Sequence, residues 1–189
     1  MEAVLSQLCN QAGTAHLMAP YMHTPEEVIP DLVKFLDVHP GDTLVDIGCG
    51  DARVIIEAAR LTDASFVGYD IDEEAIANAR ERLGKQDDFV QSRVRIRHAD
   101  ALTAREDWGK VTQVYIYLTK AGVTKKAWPF LCSKLAPGTP VVVTQHSLKG
   151  EVLKDVHQTS YVDLRGDTIH FKFSRFLTPG LAGTCSCPP

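Results

Sequence analysis

The chain has 189 residues, 44% of them hydrophobic and 23% charged, which suits one domain large enough to bury a full core. Its formal net charge of −4 supplies no basic field for a polyanion, and no stretch approaches the roughly 18 apolar residues of a membrane span. Five cysteines, odd in number and scattered, argue against a disulfide framework and for a reducing compartment.

Residues 1–23 are weakly patterned and are expected to form an arm or lid. They contain no lysine or arginine and no apolar core of a signal sequence, so a cytoplasmic location is expected. Thr24-Pro25-Glu26-Glu27 reads as a helix start, with threonine as the cap, proline first and a glutamate three after the cap. Val28, Leu32, Phe35 and Leu36 supply an apolar stripe, and Pro30 predicts a kink or restart. His39-Pro40-Gly41-Asp42 is a turn.

An alternation follows: strand 43–47, helix 51–61, strand 65–70, helix 73–83, strand 93–98, a loop, strand 111–117, helix 124–135 and strand 139–145. Asp72 caps the helix at 73, and Gly84 ends it. Arg93, Arg95 and Arg97 alternate with Val94 and Ile96, as on a strand with one solvent face. Residues 156–163 and 168–176 predict two strands around Arg165-Gly166-Asp167, a hairpin closing the sheet edge. The fold class is α/β: a mainly parallel twisted sheet, helices on both faces, and a C-terminal antiparallel hairpin. The domain covers 24–177, and 178–189 reads as a loose tail. Cys185 and Cys187 in that tail have no histidine nearby, and no metal is assigned.

Residues 45–53, Val-Asp-Ile-Gly-Cys-Gly-Asp-Ala-Arg, join the first strand to the first helix of this alternation. An acidic residue, two glycines one apart and a helix start form a turn at which a ligand meets bare backbone. Asp70 ends the next strand, where a carboxylate is placed to accept hydrogen bonds from ribose hydroxyls. Together they point to an adenosine-containing cofactor. The dinucleotide fingerprint needs a third glycine where Arg53 stands, and the phosphate loop ending in Gly-Lys-Ser/Thr is absent.

Asp46-x-Gly48-x-Gly50-x-Ala52 resembles the first motif of class I S-adenosylmethionine-dependent methyltransferases, with alanine for the last glycine. Asp70 matches their acidic residue after strand two, and His98-Ala99-Asp100-Ala101 matches the segment after strand three. Tyr21-x-x-Thr24-Pro25, the extended motif Asp46-x-Gly-x-Gly-Asp-x-Arg53 and the strand-four segment Val114-Tyr-Ile-Tyr-Leu118 are similar to small protein-lysine methyltransferases of mitochondrial membrane proteins and their prokaryotic relatives. The resemblance spans roughly residues 24–145. It implies a Rossmann-like fold and S-adenosyl-L-methionine as cofactor. Tyr21 and Thr24 are then expected at the methionine part, Asp46 at its ammonium, Asp70 at the ribose, and Asp100 with the backbone of Ala101 at the adenine. Gly48, Cys49, Gly50, Ile71 and Tyr117 complete the expected cofactor set. No counterpart of the animal members' membrane helix and targeting segment is expected here, and their mitochondrial location is the alternative to the cytoplasm.

Ligands gather at the carboxyl ends of parallel strands, which makes Tyr117 and Thr119 after strand four and His146 after strand five the candidates for the acceptor pocket. A protein lysine is the expected acceptor. A small molecule is the alternative, nucleic acid is disfavoured, and a non-catalytic cofactor-binding module is the reading from another class.

Overall fold

The computed structural model describes residues 24–179. Its strands are β1 (Thr43–Ile47), β2 (Ser65–Asp70), β3 (Val94–His98), β4 (Gln113–Ile116), β5 (Pro140–Thr144), β6 (Leu153–Val162) and β7 (Thr168–Leu177). Its helices are α1 (Ile29–Leu36), α2 (Arg53–Leu61), α3 (Glu73–Gly84), α4 (Asp88–Gln91) and α5 (Trp128–Lys134). Single 3₁₀ turns lie at Glu26–Val28 and Trp108–Lys110, and a π turn at Gly122–Ala127 leads into α5.

The strands form one sheet in the order β3-β2-β1-β4-β5-β7-β6. The first five run parallel, and β7 lies antiparallel between β5 and β6. The two-residue period of each strand divides the core between the two faces. From β1, Leu44 packs with α1 and α2, in a cluster holding Leu32, Ile55, Phe66, Tyr115 and Phe173. Val45 and Ile47 pack on the other side with Trp128 and Leu131 of α5. Arg95 and Arg97 are exposed on β3, an edge strand where charge discourages pairing with another chain. Among the described residues no helix is long and apolar enough to cross a membrane.

Local chemistry explains where the expected boundaries move. Thr24 does not cap a helix. Pro25 holds the cap position, and the buried Thr24 hydroxyl lies 3.3 Å from the Tyr115 hydroxyl, where each satisfies the other. The chain restarts at Ile29 with Pro30 in the first turn of α1, where the missing N–H costs no helical hydrogen bond. α2 begins at Arg53 rather than 51 because Ala52 is left-handed, φ 59. Asp72 caps α3 by accepting from the Ala75 N–H at 2.9 Å. The helix expected at 124 begins as the π turn at Gly122, and the strand expected at 156 begins at Leu153. Thr178, assigned to the tail, is buried; its hydroxyl accepts from the Thr139 N–H at 2.9 Å.

The hairpin is longer than the sheet it closes. β5 is in register with β7 only over Phe173–Leu177, whereas Thr168–Lys172 have β6 as their one strand partner. At about 3.3 Å per residue, these five residues carry the hairpin about 17 Å beyond the carboxyl end of β5. Its root is Phe173, fully buried and packed with Phe35, His157 and Phe171 at ring separations of 6.1, 6.2 and 6.5 Å. Phe173→Ala is expected to lower stability by about 3–5 kcal/mol, read from the urea midpoint. An unchanged midpoint would place this ring outside the core.

Candidate functional site

Strand order reverses between β1 and β4, which opens a crevice at their carboxyl ends. The turn after β1 is bent by positive φ at Gly48 (81°), Gly50 (55°) and Ala52 (59°). The N–H groups of Gly48 and Cys49 both donate to the Tyr69 carbonyl, at 2.8 and 3.0 Å. A Cβ on Gly48 would sit 2.7 Å from Leu118 Cδ2 and push that side chain aside, but it is the φ of 81° that calls for glycine here.

Asp70 joins this turn to the next. One carboxylate oxygen accepts from the Gly50 N–H (2.8 Å) and the other from the Asp72 N–H (3.0 Å). Its main-chain carbonyl accepts from the Ala99 N–H at 2.9 Å. Beside it, His98 Nε2 donates to the Ile71 carbonyl (3.1 Å). Asp100 opens the loop after β3: Oδ1 accepts from the Leu102 N–H (2.9 Å), and its carbonyl accepts from Thr103 and Ala104. Ala101 is buried beneath that loop.

Asp46 has a different environment. It is 2% exposed, and its Oδ1 has no hydrogen-bond partner. Burial raises its pKa well above the usual carboxylate range, and the charges of Asp70 and Asp51 add to the effect. Such an atom is costly unless a bound group supplies the missing donor. Next along the turn, Cys49 is also buried, and the same burial and acidic neighbours raise its thiol pKa.

Asp51 and Arg53 stiffen the turn. Arg53 Nε donates to Asp51 Oδ1 and Nη2 to Oδ2, both at 2.8 Å, and Nη1 donates to the Thr24 carbonyl at 3.1 Å. Arg82 Nη2 reaches the same Oδ2 at 2.9 Å. Burial acts to raise the Asp51 pKa, but the hydrogen bonds and charge of Arg53, with Arg82, outweigh it and lower the pKa. The arginine that breaks the dinucleotide fingerprint therefore clamps the strand-to-helix turn to the segment before α1.

On the β4 and β5 side, Tyr117 is half-buried, and its ring meets Phe171 edge-on at 6.2 Å. Burial raises its pKa, helped by Tyr161. Thr119 Oγ1 accepts from the Gly122 N–H at 3.2 Å and so starts the helical segment after β4. His146 Nε2 donates to the Leu118 carbonyl at 3.0 Å. Its pKa is lowered by burial and by Lys120 and Lys172, against the raising effect of that hydrogen bond. Asp46, Gly48, Cys49, Gly50, Asp70, Ile71, Asp100 and Ala101 thus lie along the β1–β3 side of the rim, with Tyr117, Thr119 and His146 at the exits of β4 and β5. Tyr21 lies outside the described residues, as do Cys185 and Cys187. Tyr115 and Arg82 are absent from the expected set. Tyr115 reads as an ordinary core residue, and nothing local ties Arg82 to Asp51 across 31 positions. Among the described residues no cluster of three His, Cys, Asp or Glu could hold a metal ion.

The model of the ANTKMT methyltransferase domain matches residues 46–154. A protein-lysine N-methyltransferase of Saccharolobus islandicus is 31% identical over 157 residues, covering 78% of this chain and 94% of that protein. The crystal structure of an RNA methyltransferase from Salinibacter ruber in complex with S-adenosyl-L-homocysteine superposes with a TM-score of 0.71 at 30% identity, over 89% of this chain and all of that one. A precorrin-6y C5,15-methyltransferase of Geobacter metallireducens shares the fold at 17% identity, with a TM-score of 0.66 over 86% of this chain and 92% of that one. With the sheet order and the glycine turn, these likenesses define a class I methyltransferase that uses S-adenosyl-L-methionine. Within that class, the chain belongs to the ANTKMT methyltransferase family.

The buried carboxyl of Asp46, with Oδ1 unpartnered, sets a stability expectation. A carboxyl with a raised folded pKa destabilises the fold increasingly as pH rises above its unfolded value, near 3.9. Asp46→Asn should therefore stabilise the ligand-free protein by about 1–3 kcal/mol at pH 7, and the gain should shrink as pH falls toward 4. Thermal melts across that range test it; a destabilised variant at pH 7 would show that the carboxylate has a compensating partner.

Proposed function

We propose that this chain transfers a methyl group from S-adenosyl-L-methionine to the side-chain amine of a lysine in a protein. The acceptor is supported by the likeness to the Saccharolobus protein-lysine N-methyltransferase, which extends over 94% of that protein. The cofactor's orientation is supported by the orphaned Asp46 Oδ1 beside the Gly48–Gly50 turn, a buried acceptor suited to an ammonium group. The scattered cysteines support a cytoplasmic location.

Each carboxylate then has a distinct task. Asp46 holds the amino-acid end, assisted by the backbone of Gly48, Cys49 and Gly50. Asp70, whose oxygens each retain lone pairs after binding Gly50 and Asp72, accepts from the ribose hydroxyls. Asp100 and the backbone of Ala101 take the adenine, with Ile71 beside it. Thr24, held by Tyr115 and by Arg53, covers the methionine part together with Tyr21. When bound, the cofactor supplies a methyl group already activated by a sulfonium, so the protein provides no nucleophile.

What remains for the protein is alignment, exclusion of water and removal of a proton. Deprotonating an ordinary lysine, pKa near 10.4, at pH 7 costs about 4.6 kcal/mol. Tyr117 and Thr119 line the entry of the amine, and a half-buried rim lowers this cost by disfavouring the ammonium form. His146 is the proton acceptor nearest to hand: its lowered pKa keeps the ring neutral at pH 7, and donation from Nε2 leaves the lone pair at Nδ1.

The deciding experiment incubates the enzyme and methyl-tritiated cofactor with extract from cells lacking this chain, followed by mass spectrometry of labelled peptides. Label on lysine side chains is expected; label confined to RNA or to small molecules would replace the reading. Asp70→Ala and Asp100→Ala should each weaken calorimetric binding of S-adenosyl-L-homocysteine by about 10–100-fold, the loss of charge-assisted hydrogen bonds. Unchanged affinity in both variants would remove them from the cofactor set.

A further inference from the structure

Gln145 follows β5 with a left-handed backbone, φ 64, a conformation disfavoured for a residue with a Cβ. Three hydrogen bonds hold it there. Its N–H donates to the Lys172 carbonyl (2.7 Å), its side-chain amide nitrogen donates to the His170 carbonyl (2.9 Å), and its side-chain oxygen accepts from the Lys172 N–H (3.3 Å). One residue therefore continues the pairing with β7 past the end of β5, using its amide as a substitute for main chain.

The two residues it grips flank Phe171. That ring is buried at the base of the overhanging hairpin, edge-on to Tyr117 at 6.2 Å and 6.0 Å from Tyr161. Tyr117 in turn stands directly beyond β4. The neighbouring His146 is tied to Leu118 at the same exit, and Lys172 Nζ reaches Ser147 Oγ at 2.9 Å. The exits of β4 and β5 and the overhang of β7 are thus stitched together, with Gln145 as the central stitch. Main-chain geometry alone does not require this side chain. A glycine adopts φ near +64° without strain and keeps the N–H bond to Lys172. What glutamine adds is the grip on His170 and Lys172.

We infer that Gln145 is a positioning residue for the methyl acceptor: it holds the Phe171–Tyr117 wall across the rim by gripping the main chain on both sides of Phe171. The inference rests on the lysine-methylation reading for its substrate, and its test separates the two. Wild type, Gln145→Gly and Gln145→Glu are compared, with extract from cells lacking this chain as the titrated acceptor. Gln145→Gly should melt no lower than wild type and bind S-adenosyl-L-homocysteine within about twofold. Its half-saturating extract concentration should rise about tenfold, the effect of a wall that stays in place about a tenth of the time, with the maximal rate nearly kept. Gln145→Glu sets a carboxylate oxygen against the His170 carbonyl, acceptor against acceptor, so it should lose at least as much as Gln145→Gly. Half-saturation of Gln145→Gly within about twofold of wild type, or a parallel loss of cofactor affinity, overturns the inference. If wild type labels no lysine, the function reading fails instead. The wall is then read by NMR: a Tyr117–Phe171 ring contact present in wild type and lost in Gln145→Gly supports positioning, and a contact kept in both overturns it.

Discussion

The donor side of this enzyme depends on how one carboxylate divides its two oxygens. Asp70 ends β2 and binds the N–H of Gly50 in one turn and that of Asp72 in another. The first turn is left-handed at three positions within five residues, a shape that a free chain leaves readily. The second places Asp72 to cap α3. A single side chain thus sets the crevice floor and the start of the helix beside it. The Arg53–Asp51–Arg82 group then braces the same turn from outside and, through the Thr24 carbonyl, fixes where the chain enters the domain.

A site built this way carries a stability cost in the ligand-free state. Asp46 is buried without a donor for one oxygen; burial raises the pKa of the neighbouring Tyr115, and the charge of Asp46 adds to that rise. The Tyr115 hydroxyl is satisfied by Thr24 and by Thr144, at 3.3 and 3.0 Å, so the strain is confined to the carboxylate. Under the proposed function, fold and binding make opposite demands on that residue, which is the common condition of functional sites.

Much of this architecture is written in local pattern. The alternation of strands and helices, the cap at Asp72 and the restart at Pro30 all follow from spacing and from residues whose backbone preferences are strong. The glycine turn and Asp70 are visible for the same reason, since their chemistry lies in adjacent residues. Thr24 misleads: a threonine before Pro-Glu-Glu carries a local capping signature, yet a tyrosine 91 positions away takes its hydroxyl. Arg82, Tyr115 and the Gln145 contacts are hidden likewise, because each acts through a partner that only the folded sheet brings near. Arg53 is the instructive case. As a missing glycine it excludes one cofactor, and only its fork geometry against Asp51 reveals what it does.

The reversal of strand direction at the end of the chain separates two kinds of wall. The crevice beside β1, β2 and β3 is shaped by parallel strands whose turns interlock, so a change in one turn disturbs the next. The overhang of β6 and β7 has no neighbouring strand beyond Thr144 and is held there by side chains: the Gln145 amide on His170, Lys172 on Ser147 and Thr159 on Asp31. Its tip at residues 163–167 can therefore change in length without disturbing the turns that Asp70 ties together. A graft of a longer or shorter hairpin end thus leaves the wall on the far side of the crevice as it stands.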